Sequence, residues 1–354
     1  MTTKAGSKII NAAVVRGSNQ RFTFEDIRID TPEKNEVLVR IKACGLSHID
    51  IGCRSEGAIL GHEGAGIVEQ VGQDVTSVKP GDHVLLSYQS CGACPACDEG
   101  RPAECAHFST LNLGFSRLDG SSAYPSEVKG HFFGQSSFAS HALVTERNLI
   151  KIDPSLPLSL LAPLGCGMQT GAGTVFNSLN VQPGQSVLVM GVGPVGLAAI
   201  MAAKVAGATT IIAVDQHASR LKLAQQLGAT EVIDADSENE LITLCPSMDY
   251  VIDTTGISHL AELGRDVLKN DGIMVTLTKA SSETLSRGRK VIGVIQGDAV
   301  PQTFIPKLIA LWQAGQFPLE ALISEYPITD INQAVTDMHH NNIIKAVLKW
   351  DEAS

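Results

Sequence analysis

The sequence predicts an α/β protein: an antiparallel β half is followed by a doubly wound parallel sheet. Three observations carry this. From residue 9 to residue 43 apolar and polar residues alternate around turn signals, and two further strand-like runs follow by residue 87. From residue 186 to residue 295 short apolar runs alternate with helical patterns. The second pattern is organised around Ser186-Val-Leu-Val-Met-Gly-Val-Gly-Pro-Val-Gly196, which leads on to Asp215.

The chain has 354 residues, 44% hydrophobic and 18% charged, which is enough for two domains with sizeable cores. A net charge of −10 argues against a nucleic-acid partner, because phosphate binding needs a basic excess. The first eight residues lack the apolar core of a secretory signal. A cytoplasmic location is therefore expected, with the eight cysteines as thiols or metal ligands rather than disulfides. Ser186–Ala203 is uncharged and long enough to raise a membrane span, but three glycines and Pro194 interrupt it. A strand, a turn and a helix account for it better, so no membrane partner is expected.

The first strands are expected at Ile10–Val15, Phe22–Ile29 and Glu36–Ala43, the last with Val37, Val39 and Ile41 on one face. Gly66–Val71 and His83–Ser87 follow, joined through the turn at Pro80-Gly-Asp82. A loop-rich stretch runs from Cys91 to Gly130 and contains Cys91-x2-Cys94-x2-Cys97-x7-Cys105. Four thiolates so closely spaced can close a tetrahedral zinc site, and a loop without a core of its own needs such a staple. A Cys-x-x-Cys redox pair is the rival, and the count of four favours zinc. With no open coordination position, this zinc is structural.

In the second half, Val187–Met190 suits a strand buried on both faces. Gly191, Gly193 and Gly196, with Pro194 and Val195 between them, form Gly-x-Gly-x-x-Gly ahead of a small-residue helix, Leu197–Ala206. The first glycine permits the turn, the second admits a pyrophosphate, and the third lets helix and strand pack closely. Asp215 ends the next apolar run, Ile211–Val214, where an acid accepts from ribose hydroxyls. Together these residues predict nucleotide binding. A helix over Arg220–Leu227, strands at Glu231–Ile233 and Asp249–Asp253, a helix over 258–269 and strands at Ile273–Leu277 and Val291–Ile295 complete the expected sheet. A helix over Phe304–Gln313 and a β tail ending in Ala346–Trp350 are expected to rejoin the first domain.

Gly61-His62-Glu63-Gly-Ala-Gly66, the four-cysteine loop, Gly165-Cys166-Gly167, Gly191–Gly196 and Asp215 occur in an order that resembles the zinc-containing medium-chain alcohol dehydrogenases. Leu164–Gly171 and His131–Phe138 are most similar to the aryl- or benzyl-alcohol branch. The resemblance covers nearly the whole chain. It implies a GroES-like β domain, residues 1–167 completed by 296–354, and a Rossmann domain, residues 168–295. It further implies hydride transfer between NAD(P) and an alcohol on a catalytic zinc. His62 and Cys166 match the family's zinc ligands, Glu63 the neighbouring acid, and Asp50 the carboxylate that orients the histidine. His48 matches a contact to the cofactor pyrophosphate, and Tyr88 and Phe132 match positions near the substrate pocket.

The first ligand departs from the pattern. Where the family has cysteine, this chain has Ser47, and Ile49 replaces the hydroxyl that relays the alcohol's proton. Cys44 and Cys53 are off-register substitutes, and Ser47 offers a neutral hydroxyl, a poor zinc ligand. The segment between Asp50 and Gly61 is also shorter than is usual in the family, which predicts a reshaped pocket. Asp215 favours NAD(H) over NADP(H), because a 2′-phosphate would meet a carboxylate, while Arg220 is read either beside the ribose or as a surface cation.

The expected function is NAD-dependent oxidoreduction of an aryl or allylic alcohol–aldehyde pair. One rival is zinc-independent reduction of an activated C=C or iminium; the other is a non-catalytic nucleotide-binding protein. A small-molecule substrate and a homodimer or homotetramer are expected, with Val291–Ile295 as the pairing edge of the sheet.

Overall fold

The structure is a computed structural model that describes residues 7–237, 243, 247–278 and 282–350. It divides into two compact units. The first runs to Cys166 and resumes over Val300–Ile309 and from Leu319 onward; the second holds Gly167–Ala299 and Ala310–Pro318. The sequence places the borders at 167/168 and 295/296 and leaves 310–318 with the first domain.

The described residues form sixteen strands. The first seven are β1 (Lys8–Arg16), β2 (Arg21–Ile29), β3 (Glu36–Gly45), β4 (Gly64–Val71), β5 (His83–Leu86), β6 (His141–Thr145) and β7 (Leu149–Ile152). The next seven are β8 (Ser186–Met190), β9 (Thr210–Asp215), β10 (Glu231–Asp234), β11 (Met248–Asp253), β12 (Leu268–Thr276), β13 (Glu283–Thr284) and β14 (Lys290–Gly293). β15 (Ile323–Pro327) and β16 (Lys345–Lys349) close the series.

In the first unit β1 and β2 form an antiparallel hairpin, and a larger sheet runs β15-β16-β3-β4-β5-β7, with β6 also on β3. β3 is the axis of this unit. Val37, Val39 and Ile41 pack into one core with Val68, Val84, Leu86, Phe138 and Leu348. Leu38 packs on the opposite side with Ile10, Val14, Ile59 and Leu143. A strand covered on both faces positions its exit rigidly, and that exit, Cys44–Gly45, leads into Ser47. The C-terminal tail does rejoin this sheet: Leu348 pairs with Cys44 and Val347 with Gly45.

The second unit is a sheet in the order β10-β9-β8-β11-β12-β14-β13, parallel except for β13. The order reverses between β8 and β11, which is the switch point where ligands of such sheets sit. Two expectations need correction. The helix at 258–269 ends at Asp266, because Leu268 already pairs with Met248 as the start of β12. Val291 is not on the sheet edge: Glu283 pairs with Val291 and Thr284 with Lys290, so β13 covers that side. Among the described residues no helix is long and apolar enough to cross a membrane.

Candidate active site and metal centres

The four-cysteine loop brings its sulfurs together. Cys91 and Cys97 Sγ are 4.0 Å apart, as are Cys94 and Cys105, and all four lie within 4.8 Å of one another. A tetrahedron with Zn–S near 2.3 Å needs sulfurs roughly 3.8 Å apart, so the spacing fits zinc. The backbone N–H groups of Ala93 and Ala106 donate to Cys91 and Cys94, and those of Cys91 and His107 donate to Cys105. Such donors favour the thiolate. The N–H of Ala106 draws the Cys94 thiol down to about 6, whereas burial pushes Cys105 up to about 12. Apart from these ligands, the small core under the loop is chiefly Leu111 and Phe108.

The second group is His62, Glu63 and Cys166, whose donor atoms also lie within 4.8 Å of one another. Gly61 sets the approach. Its φ is +90°, and a Cβ there would come within 2.6 Å of the Phe138 ring and backbone. Asp50 is fully buried in the short helix His48–Gly52, where it accepts from three donors. These are the Ser47 N–H at 2.9 Å, the Gly61 N–H at 3.1 Å and the His62 Nδ1–H at 2.9 Å. The last bond fixes the ring and leaves the other nitrogen, Nε2, as the one that can accept. Nε2 is buried and makes no hydrogen bond. Burial opposes charging the ring, but the Asp50 carboxylate and the Cys166 sulfur outweigh it and raise His62 well above the usual histidine range. A buried imidazole nitrogen without a hydrogen-bond partner, beside a thiol and a carboxylate, fits a divalent metal.

Glu63 is fully buried, and its carboxylate fills the space in front of Gly45, where a Cβ would clash with it. Lys345, itself 1% exposed, places Nζ 2.6 Å from Glu63 Oε2 and donates to Ser47 Oγ at 2.7 Å. Ser47 therefore faces an ammonium group. Cys44 does not join the group. Its thiol donates to the Gly45 carbonyl at 3.4 Å, and burial followed by the Asp50 charge pushes its pKa well up. Cys53 lies outside the group as well, half-buried, its thiol raised by burial and Asp50. His48 and Ile49 are exposed at the start of their helix. Tyr88 is buried in the core, and Phe132 is fully buried, meeting the His62 ring edge-on at 5.9 Å.

Three residues of this neighbourhood escape the sequence reading. Lys345 is the lone charge in the apolar run Ile343–Leu348, which is the signal that could have found it. Gln135 lies in a quoted motif; it donates to the His62 and Ser87 carbonyls and accepts from the Gly64 N–H, holding the backbone on either side of Glu63. Phe133 packs 4.6 Å from the His62 ring.

In the second unit the glycine turn has the expected form. Gly191 has φ +84°, and a Cβ on it would strike Thr254 at 2.3 Å. Gly193, at the start of the helix Pro194–Val205, is open, so a phosphate can approach its backbone. A Cβ on Gly196 would lie 2.0 Å from the Gly191 carbonyl, so only glycine lets this helix pack on β8. Asp215 accepts from the Val192 and His217 N–H groups, each at 2.9 Å. Arg220 Nη1 is 3.9 Å from Asp215 Oδ2.

Comparison with known proteins decides the family. The description "Alcohol dehydrogenase GroES-like domain" matches residues 33–154 and "Zinc-binding dehydrogenase" matches residues 194–313. A geraniol dehydrogenase of Castellaniella defragrans is 38% identical over 360 residues, covering 95% of this chain and 96% of its own length. The chain belongs to the zinc-containing medium-chain alcohol dehydrogenases. Among solved members, benzyl alcohol dehydrogenase from Acinetobacter calcoaceticus is 38% identical with a TM-score of 0.92, covering 97% of this chain and all of its own. An alcohol dehydrogenase zinc-binding domain protein from Burkholderia ambifaria is 42% identical with the same TM-score, covering 98% of this chain and 100% of its own. As a medium-chain alcohol dehydrogenase, the protein pairs a GroES-like unit with a Rossmann-type parallel sheet and is an oxidoreductase, so the non-catalytic rival falls.

Proposed function

We propose that this alcohol dehydrogenase interconverts an aryl or allylic alcohol and its aldehyde with NAD(H). The carrying observation is the group of buried His62 and Glu63 with half-buried Cys166, and Asp50 behind the imidazole, in a chain whose full-length relatives include geraniol and benzyl alcohol dehydrogenases. His62 and Cys166 would hold the catalytic zinc, with Glu63 beside it. When bound, the zinc supplies a Lewis acid for the substrate oxygen and the nicotinamide a two-electron hydride carrier. The chain's own part is positioning. Asp50 fixes the His62 tautomer, and Gln135 and Ser87, which donates to the Gly165 carbonyl at 2.7 Å, pin the stretches that carry Glu63 and Cys166. Ile49 offers no hydroxyl, so the alcohol's proton leaves by another route.

NAD is preferred on the strength of Asp215, whose carboxylate repels a 2′-phosphate. NADH should bind about tenfold or more tighter than NADPH, with Asp215→Ala narrowing the gap; tighter NADPH binding by the unmodified protein contradicts the preference. For the substrate, NAD+ reduction is measured with benzyl, geranyl-type and saturated aliphatic alcohols of similar size. A kcat/KM advantage of about tenfold or more for the unsaturated alcohols supports the proposal, and equal or better turnover of the saturated ones sinks it. The second reading, reduction of an activated C=C, is favoured by one observation: Ser47 is engaged by Lys345. NADH oxidation by enones with no aldehyde turnover would establish it instead.

A further inference from the structure

Lys345 is the buried cation of this unit that the proposed chemistry leaves without a task. Its ammonium is within 2.7 Å of both Ser47 Oγ and Glu63 Oε2, and Lys345 and Glu63 are all but inaccessible to water. An ammonium group only donates, so at this contact the Ser47 hydroxyl must accept. One of the hydroxyl's two lone pairs is thereby engaged by a positive charge, which repels a second cation from the same oxygen. Glu63 is in a similar position, because its carboxylate lies within reach of the His62 and Cys166 donors and also pairs with Lys345. Two cations cannot both take full advantage of one buried carboxylate at close range, since their mutual repulsion is poorly screened there.

We infer that Lys345 removes Ser47 from the metal's ligand set and competes with the metal for Glu63, so that this lysine sets how tightly the His62/Cys166 site holds zinc. With Lys345 on Glu63, zinc has one imidazole and one thiolate. With zinc on Glu63, the lysine loses its buried anion. The site is therefore a weak, exchangeable one by construction, and the missing cysteine at position 47 is matched by a cation that would have paired with it.

This inference rests on the reading of His62, Glu63 and Cys166 as the catalytic metal site, and the experiment separates the two. Full-length protein carrying its four-cysteine zinc is dialysed against chelator-buffered free zinc, and bound zinc per chain is measured by elemental analysis. The loop zinc is the internal control for folding. Lys345→Met keeps the apolar stem and removes the charge, leaving Glu63 to the metal; the dissociation constant of the second zinc should fall about tenfold or more, the scale on which outer partners change metal affinity. Lys345→Arg keeps a cation and should change it far less. Ser47→Ala should leave it within about threefold, because the hydroxyl is not a ligand. Weakening beyond about tenfold in Ser47→Ala, or an unchanged constant in Lys345→Met, overturns the inference. Should Lys345→Met fail to fold, Ser47→Ala and Lys345→Arg decide it, the latter by tightening zinc as much as charge removal is expected to. Cys166→Ser tests the underlying reading alone: a second zinc that persists there means the metal lies elsewhere, whereas its loss with no effect of Lys345→Met rejects only the lysine's role.

Discussion

The two candidate metal centres sit in the same unit but are built in opposite ways. The cysteine loop draws four like ligands from fifteen consecutive residues, Cys91 to Cys105, and two of its sulfurs belong to partly exposed residues. The other centre draws unlike groups from distant stretches, His62 and Glu63, Cys166 and Lys345, around a fully buried carboxylate. In the loop the buried residues are largely the ligands themselves, so the metal stands in for a core. At the second centre hydrogen bonds of Asp50, Gln135 and Ser87 with the backbone of Gly61, His62 and Gly165 hold the polypeptide. A site that the metal folds should lose structure when the metal leaves; a site that the protein folds should lose only chemistry.

The largest effect that can break this contrast is in the loop. Cys94→Ser should remove one zinc per chain and cost about 4 kcal/mol or more, a fraction of the roughly 10–16 kcal/mol of a complete structural site. That corresponds to a fall in Tm of roughly 8–16 °C for a unit of this size. Calorimetry and metal analysis check it, and an unchanged Tm with full zinc refutes the assignment.

Acid stability near the loop has a second source that must be separated from metal loss. His131 and Cys91 border one cavity of about 340 Å³. The His131 Nε2 accepts from the Ala123 N–H at 3.0 Å, and burial lowers the ring's pKa to about 4. The folded pKa lies below the unfolded value, so the unfolded chain binds the extra proton between them. The contribution is complete above about pH 6.5 and is lost as pH falls toward 4, by up to roughly 3 kcal/mol. His131→Gln, which keeps an acceptor, should flatten the stability profile over that window in denaturant titrations at fixed zinc. A profile unchanged from the parent's would exclude the imidazole as a source.

Much of this contrast is legible in the sequence. The spacing of Cys91, Cys94, Cys97 and Cys105 specifies its site outright, because local spacing and geometry coincide there. Gly191, Gly193, Gly196 and Asp215 are legible for the same reason: turn, helix start and acid are fixed by one strand–helix–strand unit. The buried centre is legible only in part. His62 and Asp50 can be placed by motif, but Lys345 reaches Ser47 across 298 positions, and only strand pairing of β16 with β3 brings them together. Register across a sheet is set by packing, which no local pattern reports. The edge misassigned to Val291 has a related cause: β13 is two residues long, too short for an alternating pattern to show.

A smaller effect sharpens the contrast at the buried centre. Asp50→Asn keeps the shape but removes the charge behind His62 and turns one acceptor oxygen into a donor, so it should weaken the second zinc by roughly 10–100-fold with a fall in Tm smaller than that of Cys94→Ser. A large fall in Tm without a change in zinc affinity would make Asp50 a structural residue only.

The most direct measurement is zinc per chain in the unmodified protein before and after dialysis against a mild chelator. With zinc in excess, two ions per chain are expected. After dialysis one should remain, in the cysteine loop, and the fold should be intact. Two zincs surviving the chelator would contradict the contrast between a site the metal builds and a site the lysine holds open.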